Sequence, residues 1–270
     1  MTRLTQPIAV VDAFTSQAFR GNPAGVCLLD GPAPSEWMQL VAREMAHAET
    51  AFVWPLADHE SGFFSLKWFT PTTEVDLCGH ATLAAAHWLW QSGMLPIGQP
   101  ARFATLSGPL GATLDGDWIE LDFPAEPAQA VPAPPELADM LGAKPVWVGR
   151  NRLDYLVELT DAAQVRALTP DLSRFGPLGF RGIIVTAAGD EGYDLVSRGF
   201  FPNVGIPEDP VTGSAHCALA PYWAAKLGKT ELSAYQASAR GGELRLRLDG
   251  VRVKLRGQAV TTLEGRIWGP

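Results

Sequence analysis

Glu49, Cys78, His80 and Asp209 are the side chains of this 270-residue sequence whose type and setting suit proton transfer. Glu49 opens the apolar run Thr50-Ala51-Phe52-Val53-Trp54. A carboxylate at the mouth of a buried strand loses hydration, which raises its pKa and suits it to exchange protons near neutral pH. The placement also fits a solvated glutamate at an element boundary, the reading given to nearby Glu44 on the exposed face of a helix. Asp209 lies in Glu208-Asp209-Pro210-Val211-Thr212-Gly213-Ser214, where it could serve chemistry or simply cap a turn. His80 could donate a proton, or cap the helix it begins. His47, His87 and His216 read as packing and capping residues.

Gly79-His80 and Gly213-Ser214 each stand where an alanine-rich helix begins. Exposed N–H groups and the positive end of the helix dipole make such a terminus an anion site, and glycine lets a ligand approach the backbone. Ordinary capping explains either motif alone; two related copies favour a carboxylate site in a cleft shared by both helix starts. Cys78 precedes the first of these helices, a place where thiol pKa values fall, although free cysteines are commonly packing residues, as Cys217 is expected to be. Asp76, Cys78 and His80 match no dependable metal-ligand spacing. Neither GxGxxG after a strand nor GxxxxGK[ST] is present.

The elements that must position these groups are mostly strands. Alternating or β-branched runs predict strands over 8–14, 24–29, 50–54, 63–69, 101–106 and 118–123. A second set follows over 146–149, 153–159, 182–186, 193–200, 243–248 and 251–256, with a last strand over 258–268. Helices are predicted over 34–46, 81–91 and 214–227; the last two are apolar on most faces, which places them at the centre of a β-rich shell. Five prolines in 124–135 mark a linker near mid-chain. The segments 69–82 and 201–215 share an order: aromatic strand end, proline and acidic residues, glycine, helix. The chain therefore reads as a duplication with a cleft between its halves. The expected boundaries are 1–123 for the first half, joined by the returning strand 258–270, and 136–257 for the second, with 124–135 between them.

An apolar fraction of 47% with 19% charged residues suits a packed core rather than disorder. A net charge of -8 gives no basic patch for a phosphate backbone, so nucleic acid is excluded as a partner. Three cysteines without a CxxC pair fit a reducing compartment, the N-terminus lacks a signal-peptide pattern, and no apolar run approaches the roughly 18 residues of a membrane helix. A cytoplasmic protein away from membranes is expected.

Four blocks resemble the PhzF-like (phenazine-biosynthesis) family: 11–26 (VDAFTSQAFRGNPAGV), 42–52 (AREMAHAETAF), 69–82 with its Cys78-Gly79-His80-Ala81-Thr82, and 208–215 (EDPVTGSA). They occur in the family's order and span both halves. The resemblance implies an α+β, diaminopimelate-epimerase-like fold: two pseudo-symmetric domains, each a curled, mostly antiparallel sheet or barrel around a central helix. It implies a cofactor-independent isomerase, a homodimer, that moves a proton on a small unsaturated or amino carboxylate. In phenazine members the substrate is a dihydro-hydroxyanthranilate. Glu49 falls at the catalytic glutamate, His80 and Asp209 at assisting positions, and Gly79, Gly213 and Ser214 at the carboxylate site. Related epimerases use two cysteines; here the second motif carries Asp209 rather than a thiol. Three alternatives stay open at this point: a cysteine-dependent epimerase or racemase using Cys78, a non-catalytic ligand-binding protein, and a metal-dependent hydrolase.

Overall fold

The computed structural model describes residues 5–56, 62–176 and 179–270. The chain divides into two compact units, Met1–Asp122 with Arg256–Pro270, and Phe123–Leu255.

The first unit contains β1 (Thr5–Ala13), β2 (Asn22–Leu28), α1 (Ser35–Met45), β3 (Thr50–Pro55), β4 (Phe63–Phe69), β5 (Glu74–Val75), α2 (Gly79–Gln91), β6 (Ala101–Thr105), β7 (Gly108–Asp115) and the body of β8 (Trp118–Pro124). The second contains β9 (Gln129–Ala130), α3 (Leu137–Leu141), β10 (Trp147–Arg150), β11 (Asp154–Glu158), α4 (Ala162–Ala167), β12 (Gly182–Ala188), β13 (Leu195–Phe201), β14 (Ile206–Asp209), α5 (Gly213–Leu227), β15 (Glu231–Gln236), β16 (Gly242–Asp249) and β17 (Arg252–Gly257), whose end passes into the first unit. The last strand, β18 (Ala259–Trp268), belongs to the first unit and pairs antiparallel with β1.

The ladders repeat. In the first unit β1 and β2 are antiparallel, β2 and β3 parallel, β3 and β4 antiparallel, β4 and β5 antiparallel, β4 and β6 parallel, and β6 and β7 antiparallel. The second unit follows the same order through β10–β11, β11–β12, β12–β13, β13–β14, β13–β15 and β15–β16. A parallel neighbour needs a crossover connection, and each unit supplies helices for it: α1 between β2 and β3 with α2 between β5 and β6, then α4 between β11 and β12 with α5 between β14 and β15.

Both long helices are sheathed. α2 buries His80 to Ala86 and Trp88 to Trp90, and it packs on β1, β2, β3 and β18. α5 buries its small face, Ala215 to Ala220, together with Trp223, and packs on β15 and β16. Each fully buried leucine contributes about 1.5–3 kcal/mol, and the alanines let strands approach the helix axis. A second core lies under α1, where Met38, Val41 and Ala42 meet Ile8, Phe52 and Phe69. In the second unit Val157, Val185, Val196 and Phe200 pack with Leu137 and Val165.

The proline-rich stretch contains one short strand that its composition did not announce: β9, which pairs with Arg150 and Gly149 of β10. Proline lacks an N–H, but Gln129 and Ala130 between Pro127 and Pro132 retain theirs.

Candidate active site

In the first unit the chain leaves α1 through Ala46, whose left-handed φ of 55° ends the helix with an N–H to the Ala42 carbonyl. Three residues later Glu49 precedes β3. Its backbone carbonyl accepts a bond from Gly25 N–H at 3.2 Å, which fixes it to β2. A Cβ on Gly25 would meet Thr50 Oγ1 at 2.8 Å, so the approach of β2 to the start of β3 depends on glycine there. Glu49 thereby lies buried, with its side chain 11% exposed.

Cys78 is the N-cap of α2, in extended conformation and without a side-chain cap bond. The Thr82 hydroxyl donates to its carbonyl at 2.6 Å. His80 sits in the first turn at 5% exposure. Its Nδ1 lies 3.4 Å from Cys78 Sγ, and its Nε2 lies 3.4 Å from Glu49 Oε2. Thiol, imidazole and carboxylate thus stand in sequence, the ring between the other two. Burial, with a smaller contribution from the charge of His47, lowers the His80 pKa from 6.5 to about 3. Desolvation of the imidazolium outweighs the neighbouring carboxylate here, so the contact is a neutral imidazole beside a carboxyl group rather than an ion pair. His80 Nε2 has no hydrogen-bond partner among the described residues. Leaving such a buried atom unsatisfied costs about 1–3 kcal/mol, and functional sites are where that cost is found.

The ligand atoms of Glu49, Cys78 and His80 also lie within 4.8 Å of one another, and they form the one such group of three among the described residues. Asp76, weighed in the sequence as a third ligand with Cys78 and His80, is not in it; Glu49 is.

In the second unit Asp209 ends β14 at 8% exposure and accepts from the Thr212 hydroxyl at 2.6 Å. Gln236, at the end of β15, binds the same turn: its Nε2 donates to the Asp209 carbonyl at 2.8 Å and to Thr212 Oγ1 at 3.2 Å, while its Oε1 accepts from Thr212 N–H at 2.8 Å. Ser238 Oγ donates to the Pro210 carbonyl at 2.8 Å. Thr212 is the N-cap of α5, extended and again without a side-chain cap bond. Ser214, in the first turn, accepts from Arg181 at 3.0 Å; Arg181 also holds Asp154 with two donors, one at 2.9 Å, and lies over the Phe201 ring at 4.9 Å. The Asp154 carboxyl is buried to 1% exposure. Its pKa is raised by that burial, against the pull of Arg181.

His216, one turn into α5, is fully buried. Its Nδ1 donates to the Thr212 carbonyl at 2.8 Å, which fixes the tautomer and leaves Nε2 as a buried acceptor without a partner among the described residues. Burial lowers its pKa to about 4. Cys217 donates to the Gly213 carbonyl, and burial pushes its thiol up to about 12, as befits a core residue. His87 lies at the far end of α2, two turns from His80, where its Nε2 meets Thr261 Oγ1 at 3.1 Å. There it borders a cavity of about 410 Å³ lined by Trp90, Gln91, Leu114 and Ile119, and none of the residues singled out in the sequence for chemistry faces it.

Glu49, Cys78 and His80 are therefore assembled at one helix start, and Asp209, Gly213 and Ser214 at the other. The supporting residues Arg181, Asp154 and Gln236 had not been singled out. Their one sequence signal is a buried-strand setting for polar residues, at Asp154 before Tyr155-Leu156-Val157 and at Gln236 in β15.

The model of the phenazine biosynthesis-like protein family matches residues 11–265. The chain belongs to that family. A protein of Halalkalibacterium halodurans named as an uncharacterized isomerase is 54% identical over 98% of this chain and 99% of its own. A crystal structure of a PhzF-family protein from Enterococcus faecalis superposes with a TM-score of 0.93 at 41% identity, covering 98% of this chain and all of the other. A hydroxyproline epimerase from Agrobacterium vitis, at 11% identity and a TM-score of 0.67, shares the fold. The chain is an isomerase with the family's α+β, epimerase-like fold of curled sheets around helices. Among the described residues no helix is long and apolar enough to cross a membrane.

Proposed function

We propose that this isomerase removes a proton from one carbon of a small carboxylate-bearing substrate and returns it to another carbon of the same molecule, with Glu49 as the acid and base. The observation that carries the reading is the buried pair itself: a glutamate carboxyl 3.4 Å from an imidazole nitrogen that has no hydrogen-bond partner among the described residues. Neutral His80 can donate to, or accept from, a substrate heteroatom without adding a charge that would hold Glu49 ionised. The carboxylate form of Glu49 takes the proton, and the carboxylic acid form gives it back, so the enzyme ends as it began. The α2 start, closed by no side-chain cap, offers its N–H groups and dipole to the substrate carboxylate, with Gly79 admitting it. The family motif assigns Asp209 to assistance in proton transfer and Gly213 and Ser214 to carboxylate binding; these assignments are proposed with it. The chemistry requires no cofactor, and the substrates it suits are unsaturated or amino carboxylates.

Solvent deuterium incorporation into such compounds, dihydro-hydroxyanthranilate and unsaturated cyclic amino acids first, tests the reading. Exchange by the wild type and by Glu44→Gln, with its loss in Glu49→Gln, is the expected result. Exchange that survives in Glu49→Gln would overturn it, as would a tightly bound carboxylate that never exchanges, the mark of a binding protein.

One observation favours a second reading, a thiol-dependent epimerase: Cys78 Sγ lies 3.4 Å from His80 Nδ1. Cys78→Ala separates the two. It abolishes exchange if the thiol carries the proton, and leaves exchange standing if Glu49 does.

A further inference from the structure

The three groups at the α2 start suit a second chemistry besides proton transfer. A thiol, an imidazole and a carboxylate are donors that a borderline-soft divalent cation selects, whereas magnesium and calcium call for oxygen ligands. Zinc binds thiolate at about 2.3 Å and imidazole or carboxylate at about 2.0–2.2 Å, so its ligand atoms stand roughly 3.3–3.6 Å apart in a tetrahedron. Cys78 Sγ is 3.4 Å from His80 Nδ1, and Glu49 Oε2 is 3.4 Å from His80 Nε2. One ring nitrogen serves an ion at a time, so one of these two partners must cross to the other's nitrogen. The crossing is short: with one ligand atom taken from each residue, all three lie within 4.8 Å of one another. Rotation about the three torsions of the Glu49 side chain spans the remaining difference of about 1 Å.

Two further observations point to a ligand. The first is His80 itself: it is 5% exposed, and its Nε2, aimed at the carboxyl, has no hydrogen-bond partner among the described residues. The second is the charge that the enclosed group can offer. A thiolate and a carboxylate supply two negative charges against the two positive charges of the ion, and burial strengthens that attraction. The positive end of α2 opposes a cation by about half a charge, which two anions outweigh. Glu49, whose side chain keeps 11% of its surface in solvent, is the ligand an entering ion meets first. Since Glu49 precedes β3 while Cys78 and His80 begin α2, no sequence spacing announces the set.

We propose that Glu49, Cys78 and His80 bind one thiophilic divalent cation of the zinc type, and that the bound ion inhibits the enzyme by occupying the groups that move the proton. Binding releases the thiol proton and leaves the ion a fourth position for water. The ion site stands without the catalytic reading; the inhibition rests on it. Cobalt serves as the probe, because its thiolate complexes absorb where the protein is transparent. Titration of chelator-treated protein with Co²⁺ should raise a thiolate charge-transfer band that saturates at one ion per chain. Zn²⁺ should abolish the band and an excess of Mg²⁺ should not. The band should vanish in Cys78→Ala and persist in Cys27→Ala, whose thiol lies in the core under α1. His80→Gln and Glu49→Gln should each weaken binding about ten- to hundred-fold or more. No band, a band that survives in Cys78→Ala, or unchanged affinity in both His80→Gln and Glu49→Gln overturns the site. Zinc-edge X-ray absorption on the unaltered protein decides should a variant fail to fold: one sulfur among nitrogen and oxygen neighbours supports the site, and no sulfur refutes it. In the deuterium-exchange assay zinc should inhibit the wild type and a chelator should restore it. Zinc bound by these residues that leaves exchange untouched would overturn the inhibition, and with it the role of Glu49 in proton transfer, while the ion site stood.

Discussion

The starts of α2 and α5 are built alike and finished differently. Each follows an extended N-cap that makes no side-chain cap bond, each leads an apolar helix, and each has a fully or nearly fully buried histidine in its first turns. At α5 most of the polar groups bind one another: Thr212 binds Asp209, Gln236 binds both, and Arg181 ties Ser214 to Asp154, with His216 Nε2 left over. At α2 the thiol, imidazole and carboxyl stand at 3.4 Å from one another in turn, and the imidazole nitrogen facing the carboxyl has no hydrogen-bond partner among the described residues. One architecture thus yields a corner whose polar groups are satisfied but for His216 Nε2, and a corner whose imidazole faces a carboxyl with bonding capacity in reserve. Satisfaction holds a backbone in place; reserve capacity is what a substrate can use.

The largest effect that could break this contrast is at Glu49. Glu49→Gln keeps the shape and an acceptor but removes the titrating group, and general acid–base help is worth about 10²–10⁴-fold. Exchange should fall by that factor while the unfolding free energy from urea denaturation stays within about 1 kcal/mol of wild type, because the substitution is isosteric. A variant that lost stability instead would make Glu49 part of the scaffold, and the two corners would no longer differ in kind.

The opposite pattern is expected at the satisfied corner. Arg181→Met leaves the Asp154 carboxyl buried without its bidentate partner. Removing one member of a buried pair costs about 3–5 kcal/mol, and the partial exposure of Arg181, 28%, reduces this to about 2–3 kcal/mol. Equilibrium denaturation measures it. A loss below about 1 kcal/mol would mean that this corner is not the rigid one.

The apolar periodicity made the frame of both corners legible. The run FFSLKWF over residues 63–69 alternates and forms β4 with those bounds, and the alanine-rich stretches became the two central helices, α2 and α5. What escaped were elements that neighbours impose on poor local sequence. β7 has the sequence GPLGATLD, in which two glycines and a proline hide the alternation; it exists because β6 and β8 flank it as hairpin partners. β14 and β15 are short and mixed in composition, and the turn between β14 and α5 is held by Gln236 rather than by its own sequence. Glu49 stood out only as one candidate, an acid before an apolar strand that reads equally as a solvated boundary residue, and the family resemblance is what promotes it. The Arg181–Asp154–Ser214 set was not, since its members lie 27 and 33 residues apart and none is unusual in its own segment.

Acid sharpens the comparison because both histidines are buried neutral. With folded-state pKa values of about 3 for His80 and about 4 for His216 against 6.5 ordinarily, the unfolded chain binds protons at pH values where the folded one does not. Their contribution to stability is intact above pH 6.5 and is lost as the pH falls from there toward 4, by at most about 1.4 kcal/mol per pH unit for each histidine. Thermal melts of His80→Gln and His216→Gln between pH 7 and 4.5 should each decline less steeply than wild type. A wild-type slope that neither substitution flattens would mean that the imidazoles titrate in the folded state.

The smallest effect is expected at Ser214, and it bears on what the satisfied corner is for. Ser214→Ala removes one hydrogen bond, from Arg181, which retains Asp154 as its main partner. The cost in stability is about 0.5–1.5 kcal/mol, a shift of a few degrees in melting temperature. If the hydroxyl serves only the scaffold, the kinetics of exchange are untouched. If the α5 start contributes to carboxylate binding, as the family motif assigns it, KM rises several-fold while kcat holds, because an interaction made equally with substrate and transition state affects KM alone. A fall in kcat with KM unchanged would move Ser214 from binding into the proton transfer itself, and the contrast between a supporting corner at α5 and a reacting corner at α2 would have to be given up.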